Sequence, residues 1–124
     1  MSNRATDIQL KTKRVYEEAL PTDGQRILID RLWPRGLSKG KAQVDYWAKD
    51  AAPSNELRKW YQHDPEKWEA FRERYFAELD ALPQAIEGLR QALRPGLNTI
   101  LFASREEDLN NARALVEYLE ERPG

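Results

Sequence analysis

The chain has 124 residues and a net charge of −1, with 40% apolar, 33% charged and 10% aromatic residues. That length suits one domain, residues 1–124, with a sizeable core, and the four Trp exclude a disordered chain. With no Cys and a single His, disulfides, thiolate nucleophiles and Cys- or His-rich metal sites are excluded, and the near-zero net charge removes the main argument for nucleic-acid binding.

Residues 8–16 read as a strand, with Ile8, Leu10 and Thr12 alternating with Gln9, Lys11 and Lys13. Pro21-Thr22-Asp23-Gly24 is a turn. Ile27-Leu28-Ile29 is a continuous apolar run of the kind found in parallel strands buried on both faces. Residues 33–44 are broken by Pro34, Gly36 and Gly40, and a short strand is expected around residues 44–48. Ser54 caps a helix carrying Leu57, Trp60 and Tyr61.

Asp64-Pro65-Glu66 is a stronger start signal, with Pro at the first helical position. From there Trp68, Phe71, Tyr75, Leu79 and Leu82 recur at three and four residues, which predicts one apolar face on a helix of about residues 65–80. A helix over about residues 84–93 turns Ile86, Leu89 and Leu93 inward and ends at Arg94-Pro95-Gly96. Thr99-Ile100-Leu101-Phe102-Ala103 is the second buried strand. Ser104 and Glu107 match a capping box opening a last helix, with Leu109, Ala112, Val116 and Leu119 on its inner face.

Strands alternating with amphipathic helices predict a layered, Rossmann-like α/β domain. Its small, mostly parallel sheet has three or four strands flanked by helices. Ile27–Ile29 and Thr99–Ala103 are expected to be neighbouring parallel strands. Ligands of such sheets bind beyond the carboxyl ends of the strands, which here lead into residues 30–37 and 103–111.

The first of these segments, Asp30-Arg31-Leu32-Trp33-Pro34-Arg35-Gly36-Leu37, puts a carboxylate, two guanidiniums and an indole after a buried strand. Guanidiniums match phosphate and carboxylate because their planar donors engage two oxygens at once, and Trp33 is suited to stack on a ring. The other reading is structural: Asp30 pairs with an arginine and pins the loop. Ser104 and Arg105 sit where the last helix is expected to begin, a position that attracts anions. Glu106, Glu107 and Asp108 already fill that turn. At most one of Asn110 and Asn111 readily faces the cleft. His63 is the one side chain whose ordinary pKa lies near neutrality; as a base it needs a carboxylate, with Asp50 and Asp64 the candidates by type.

Charge is uneven. Residues 1–62 carry 12 Lys and Arg against 8 Asp and Glu, and residues 63–124 carry 8 against 13. These are either ordinary solvated faces or, in the functional reading, an anion-attracting face built from the N-terminal half. The binding candidates are Arg31, Trp33, Arg35, Ser104, Arg105 and Asn110, the catalytic candidates Asp30 and His63, and no metal or cofactor is called for. The expected ligand is a small anion, phosphate-bearing or nucleotide-like, with or without catalysis. The alternative is a non-catalytic module that meets a protein or nucleic acid through Trp and Arg anchors. The polar start Met1-Ser2-Asn3-Arg4 and the absence of any apolar run near the ~18 residues of a membrane span set the expectation of a cytoplasmic protein with no membrane role.

Several of these stretches together carry a family likeness. They are Lys13-Arg14-Val15-Tyr16, the run ILIDRLWPRGL over residues 27–37, Ala52-Pro53-Ser54 with Leu57-Arg58-Lys59-Trp60, His63-Asp64-Pro65 with Trp68 and Phe71, and Leu101-Phe102-Ala103 with Asn110. On these the chain resembles the small bacterial proteins grouped as domain of unknown function 488, in the YeaO-like branch, over residues 10–120. The resemblance implies a compact cytoplasmic α/β domain with no established activity. More distant members of that family carry a Cys-His-Arg element where Asn110, Asn111 and Ala112 stand here. Closer ones often have His in place of Leu109 or Asn111. The resemblance therefore implies that thiol or imidazole chemistry from this helix is absent.

Overall fold

A computed structural model describes residues 7–122; the polar start at Met1 to Arg4 lies outside them. Four strands form one all-parallel sheet in the order β1-β4-β2-β3. They are β1 (Ile8–Arg14), β2 (Gln25–Leu28), β3 (Tyr46–Trp47) and β4 (Gly96–Phe102). Among the described residues, five helices flank the sheet: α1 (Lys39–Ala42), α2 (Asn55–Tyr61), α3 (Trp68–Asp80), α4 (Pro83–Ala92) and α5 (Asn111–Glu121). The expected pairing is present: Ile27 lies opposite Ile100 and Leu28 opposite Leu101, in parallel. Ile29 extends that register by donating its N–H to the Leu101 carbonyl at 3.1 Å.

The sheet's two faces are covered differently. One face, with Ile27, Ile29, Ile100 and Phe102, packs against the apolar sides of α2, α3, α4 and α5. The other face buries Val15, Leu28, Ala42 and Leu101 beneath Trp33, Leu37, Val44 and Trp47. Its cover is thus the irregular 33–44 segment and the single turn α1, which Ser38 caps through its hydroxyl on Lys41 N–H at 3.2 Å. Gly40, expected to break the chain, sits inside that turn. Short helices suffice here because tertiary packing rather than propensity stabilises them.

Ser54 caps α2 as the sequence predicts, accepting from Leu57 N–H at 3.1 Å. Asp64 and Pro65 open a short 3-10 turn, Pro65–Lys67, before α3 begins. Trp68, Phe71, Tyr75 and Leu79 line one buried stripe of α3. Leu82 does not belong to it; α3 ends at Asp80 and Leu82 is exposed.

The start of the last helix is a correction. No helix begins at Ser104, and no capping box forms with Glu107. The Glu106 carboxylate turns back onto the N–H groups of Asp108 and Leu109 at 3.0 and 3.2 Å, which satisfies them without a helix. Asn110 instead caps α5, its Oδ1 accepting from Arg113 N–H at 3.0 Å. Asn is among the strongest N-cap residues. The inner face of α5 is Ala112, Ala114, Leu115, Tyr118 and Leu119, while Val116 is half-buried.

Gly24 is required where it stands. It joins the Pro21–Asp23 turn to β2 at φ +67°, a region L side chains avoid, and a Cβ there would run into the Leu97 carbonyl.

Candidate functional site

Three neighbouring strands deliver their following residues to one place. After β1 comes Tyr16, after β2 come Asp30 to Arg35, and after β4 come Ala103 and Ser104. All line a cavity of about 350 Å³, closed on its other side by Pro53, Arg58, Tyr61, His63 and Phe71. The segment leaving β2 lies over one face of the sheet, while α5, leaving β4, packs on the other. Between two strands whose connections depart to opposite faces a crevice opens, and parallel sheets bind ligands there.

Asp30 is tied to the base of this crevice. Its Oδ2 accepts from Ala103 N–H at 2.8 Å and its Oδ1 from the Asn111 amide at 2.9 Å. The same amide reaches the Ile29 carbonyl at 3.0 Å, and the Asp30 carbonyl accepts from the Trp47 indole at 2.7 Å. Burial raises the Asp30 carboxyl above its ordinary value; the Asn111 and Ala103 hydrogen bonds and the nearby charges of Arg58 and His63 oppose it. Among the described residues Asp30 makes no ion pair. Asp30 is therefore held by neutral donors.

The arginines differ in what they are given to do. Arg31 donates to the carbonyls of Ala52 and Pro53, at 3.0 and 3.4 Å. Arg58 reaches the Asn55 side chain at 3.2 Å. Arg35 is exposed, and its guanidinium has no protein partner among the described residues; only its carbonyl is engaged, by the Tyr16 hydroxyl at 2.8 Å. None of the three is paired with a carboxylate. Trp33 lines the cavity, and its N–H is spent on the Leu37 carbonyl at 2.7 Å.

His63 follows α2 through two residues in the left-handed region, Gln62 at φ 46° and His63 itself at φ 56°. Such positions cost about 1–3 kcal/mol and persist where surrounding structure enforces them. They turn the chain so that the imidazole meets the edge of Tyr61, with ring centroids 5.5 Å apart, at the cavity wall. Neither Asp50 nor Asp64 partners it. Asp64 caps Glu66 N–H at 3.0 Å, and Asp50 lines a separate groove. The Tyr61 hydroxyl donates to the Leu109 carbonyl at 2.7 Å, and burial, with Glu106 and Asp64 nearby, pushes it up to about 12. Tyr61 is therefore a fixed donor, not a base.

Of the sequence candidates, Asp30, Arg31, Trp33, Arg35, His63 and Ser104 line one cavity. Arg105 and Asn110 do not. Arg105 is exposed outside the wall, and Asn110 is fully buried, its amide on the Glu106 carbonyl at 2.9 Å and its oxygen in the cap. The neighbouring Asn111 takes the place expected of Asn110, because a helix that starts at residue 111 makes Asn110 the cap. Arg58 and Tyr61 come from α2, a contribution no local pattern signals.

Residues 9–123 match the family described as the Inactive DUF488-N3 subclade. The chain belongs to this family. It is 40% identical over 116 residues to the uncharacterized protein Rv3073c of Mycobacterium tuberculosis, covering 94% of this chain and 98% of that one. It is 38% identical over 112 residues to the uncharacterized protein YeaO of Escherichia coli, covering 90% and 97%. No solved structure gave a significant match. In this DUF488-N3 member the crevice is thus bordered by Asn111, an amide that holds Asp30 and takes up no proton near neutrality.

Proposed function

We propose that the protein binds a small phosphate-bearing anion in the crevice beyond β1, β2 and β4, without transforming it. The observation that supports this reading is the set of three arginines lining one cavity, Arg31, Arg35 and Arg58, none spent on a carboxylate among the described residues. A guanidinium in a bidentate salt bridge has few donors left for a ligand; these have donors to give. The partners of the two catalytic candidates support binding without catalysis. Asp30 is held by an amide and a backbone N–H, and His63 makes no hydrogen bond or ion pair with a carboxylate among the described residues. The description of the family as inactive agrees. A concave site of about 350 Å³ suits a small ligand better than a protein surface, which meets flat patches.

Paired thermal melts of wild type and Arg35→Ala, with and without inorganic phosphate, test the reading. Wild type is expected to gain stability with phosphate, by about 2.7 kcal/mol at a hundredfold excess over Kd. Arg35→Ala should lose that gain while keeping the midpoint measured without phosphate, because its guanidinium holds no protein group. A large loss without phosphate, or an equal gain in both proteins, would contradict it.

A further inference from the structure

The lining of the crevice combines acceptors and donors. At its base sits Asp30, whose two oxygens accept one hydrogen bond each. An ionised carboxylate has about four acceptor positions, so acceptor capacity remains on this cavity-lining side chain. Among the described residues no cation makes an ion pair with it. Arg31, Arg35 and Arg58 line the same cavity, donors with no carboxylate among the described residues. Trp33, Tyr61 and Phe71 add aromatic residues to that lining.

The charge of the lining gives the size of the anion. Three guanidiniums and one carboxylate give an excess of +2, His63 apart. A phosphate monoester carries about −1.5 to −2 near neutral pH, whereas a carboxylate supplies only −1. An inorganic anion alone would satisfy the arginines and leave the Asp30 acceptors and the aromatic walls without a ligand group.

Resting on the anion-binding reading above, we propose that the crevice takes an amphoteric ligand. It is a flat heteroaromatic phosphate monoester with an amino group, the phosphate on Arg35 and Arg58 and the amino group donating to Asp30. A nucleoside monophosphate with an amino-substituted base is the simplest molecule of this class. The spare acceptor capacity of Asp30 beside the arginine donors makes the site selective, because a ligand without the amino group leaves that capacity without a ligand donor.

Calorimetric titration of the full chain with three probes tests this. They are adenosine 5′-monophosphate, purine riboside 5′-monophosphate, which lacks only the amino group, and adenosine, which lacks only the phosphate. Adenosine 5′-monophosphate should bind at least about tenfold more tightly than either of the others. In Asp30→Asn the advantage over the purine riboside compound should vanish, while the advantage over adenosine remains. The matched pair on wild type keeps the test decisive even if Asp30→Asn folds poorly. Equal binding of the two phosphates by wild type overturns the amphoteric proposal. If inorganic phosphate still stabilises the wild type and not Arg35→Ala, the anion reading survives that result. Absence of binding by all three probes overturns the proposal, and absence of any phosphate effect in the melts overturns the anion reading with it.

Discussion

Asp23→Asn is expected to cost about 3–5 kcal/mol at neutral pH, the penalty for stranding buried charges by removing their partner. Asp23 is fully buried beside β1 and β2. Its carboxylate meets Arg26 at 2.5 Å and Lys13 at 2.9 Å, with Lys11 at 3.6 Å, and accepts from Leu20 N–H at 3.0 Å. Arg26 is itself buried, its other donors on the carbonyls of Ala42 and Gln43. Burial alone would raise the Asp23 carboxyl. The Leu20 N–H, Lys13 and Arg26 outweigh it and hold the group at about 2. A carboxyl depressed in the folded state contributes stability that is present above its unfolded value near 3.9 and is lost as pH falls through its folded one. Urea melts of wild type should therefore show a fall in stability between about pH 4 and pH 2 that Asp23→Asn lacks. A variant within about 1 kcal/mol of wild type at pH 7, or one with the same acid profile, would contradict the role assigned to this cluster.

Phe71→Ala should destabilise by a similar amount, about 3–5 kcal/mol, the range for large-to-small changes of buried aromatics. Phe71 is buried at the centre of an aromatic column. It stacks on Tyr61 at 4.2 Å between centroids, with Trp68 at 5.8 Å and Tyr75 at 5.9 Å. Removing it deletes these contacts and opens a void that packed neighbours fill only in part. A loss below about 1 kcal/mol in denaturant melts would contradict the packing.

The architecture was legible because two short segments announce it. Ile27–Ile29 and Thr99–Ala103 are too continuously apolar for strands with a wet face, and buried parallel strands are what they form. The Asp23 cluster was not legible. Lys11 and Lys13 occupy the polar positions of an alternating strand and read alike, yet Lys11 is exposed while Lys13 is nearly buried on Asp23. The loop pin considered for Asp30 exists one turn earlier, as Asp23 with Arg26. At the crevice, the position of residues 30–37 after a buried strand was enough to bring Asp30, Arg31, Trp33 and Arg35 together. The contribution of Asn111 was hidden by the capping pattern at Ser104, and that of Arg58 and Tyr61 by distance along the chain. Local patterns report which face of an element is apolar, not which distant element closes over it.

The central claim is that an anion enters the crevice at the carboxyl ends of the strands. Titrating inorganic phosphate into isotopically labelled protein and following backbone and arginine side-chain NMR signals tests it most directly. The account predicts saturable shifts concentrated on Arg31, Arg35, Arg58, Ser104 and Asn111. Shifts centred on the lysines of α1, or spread evenly over the surface without saturation, would contradict it.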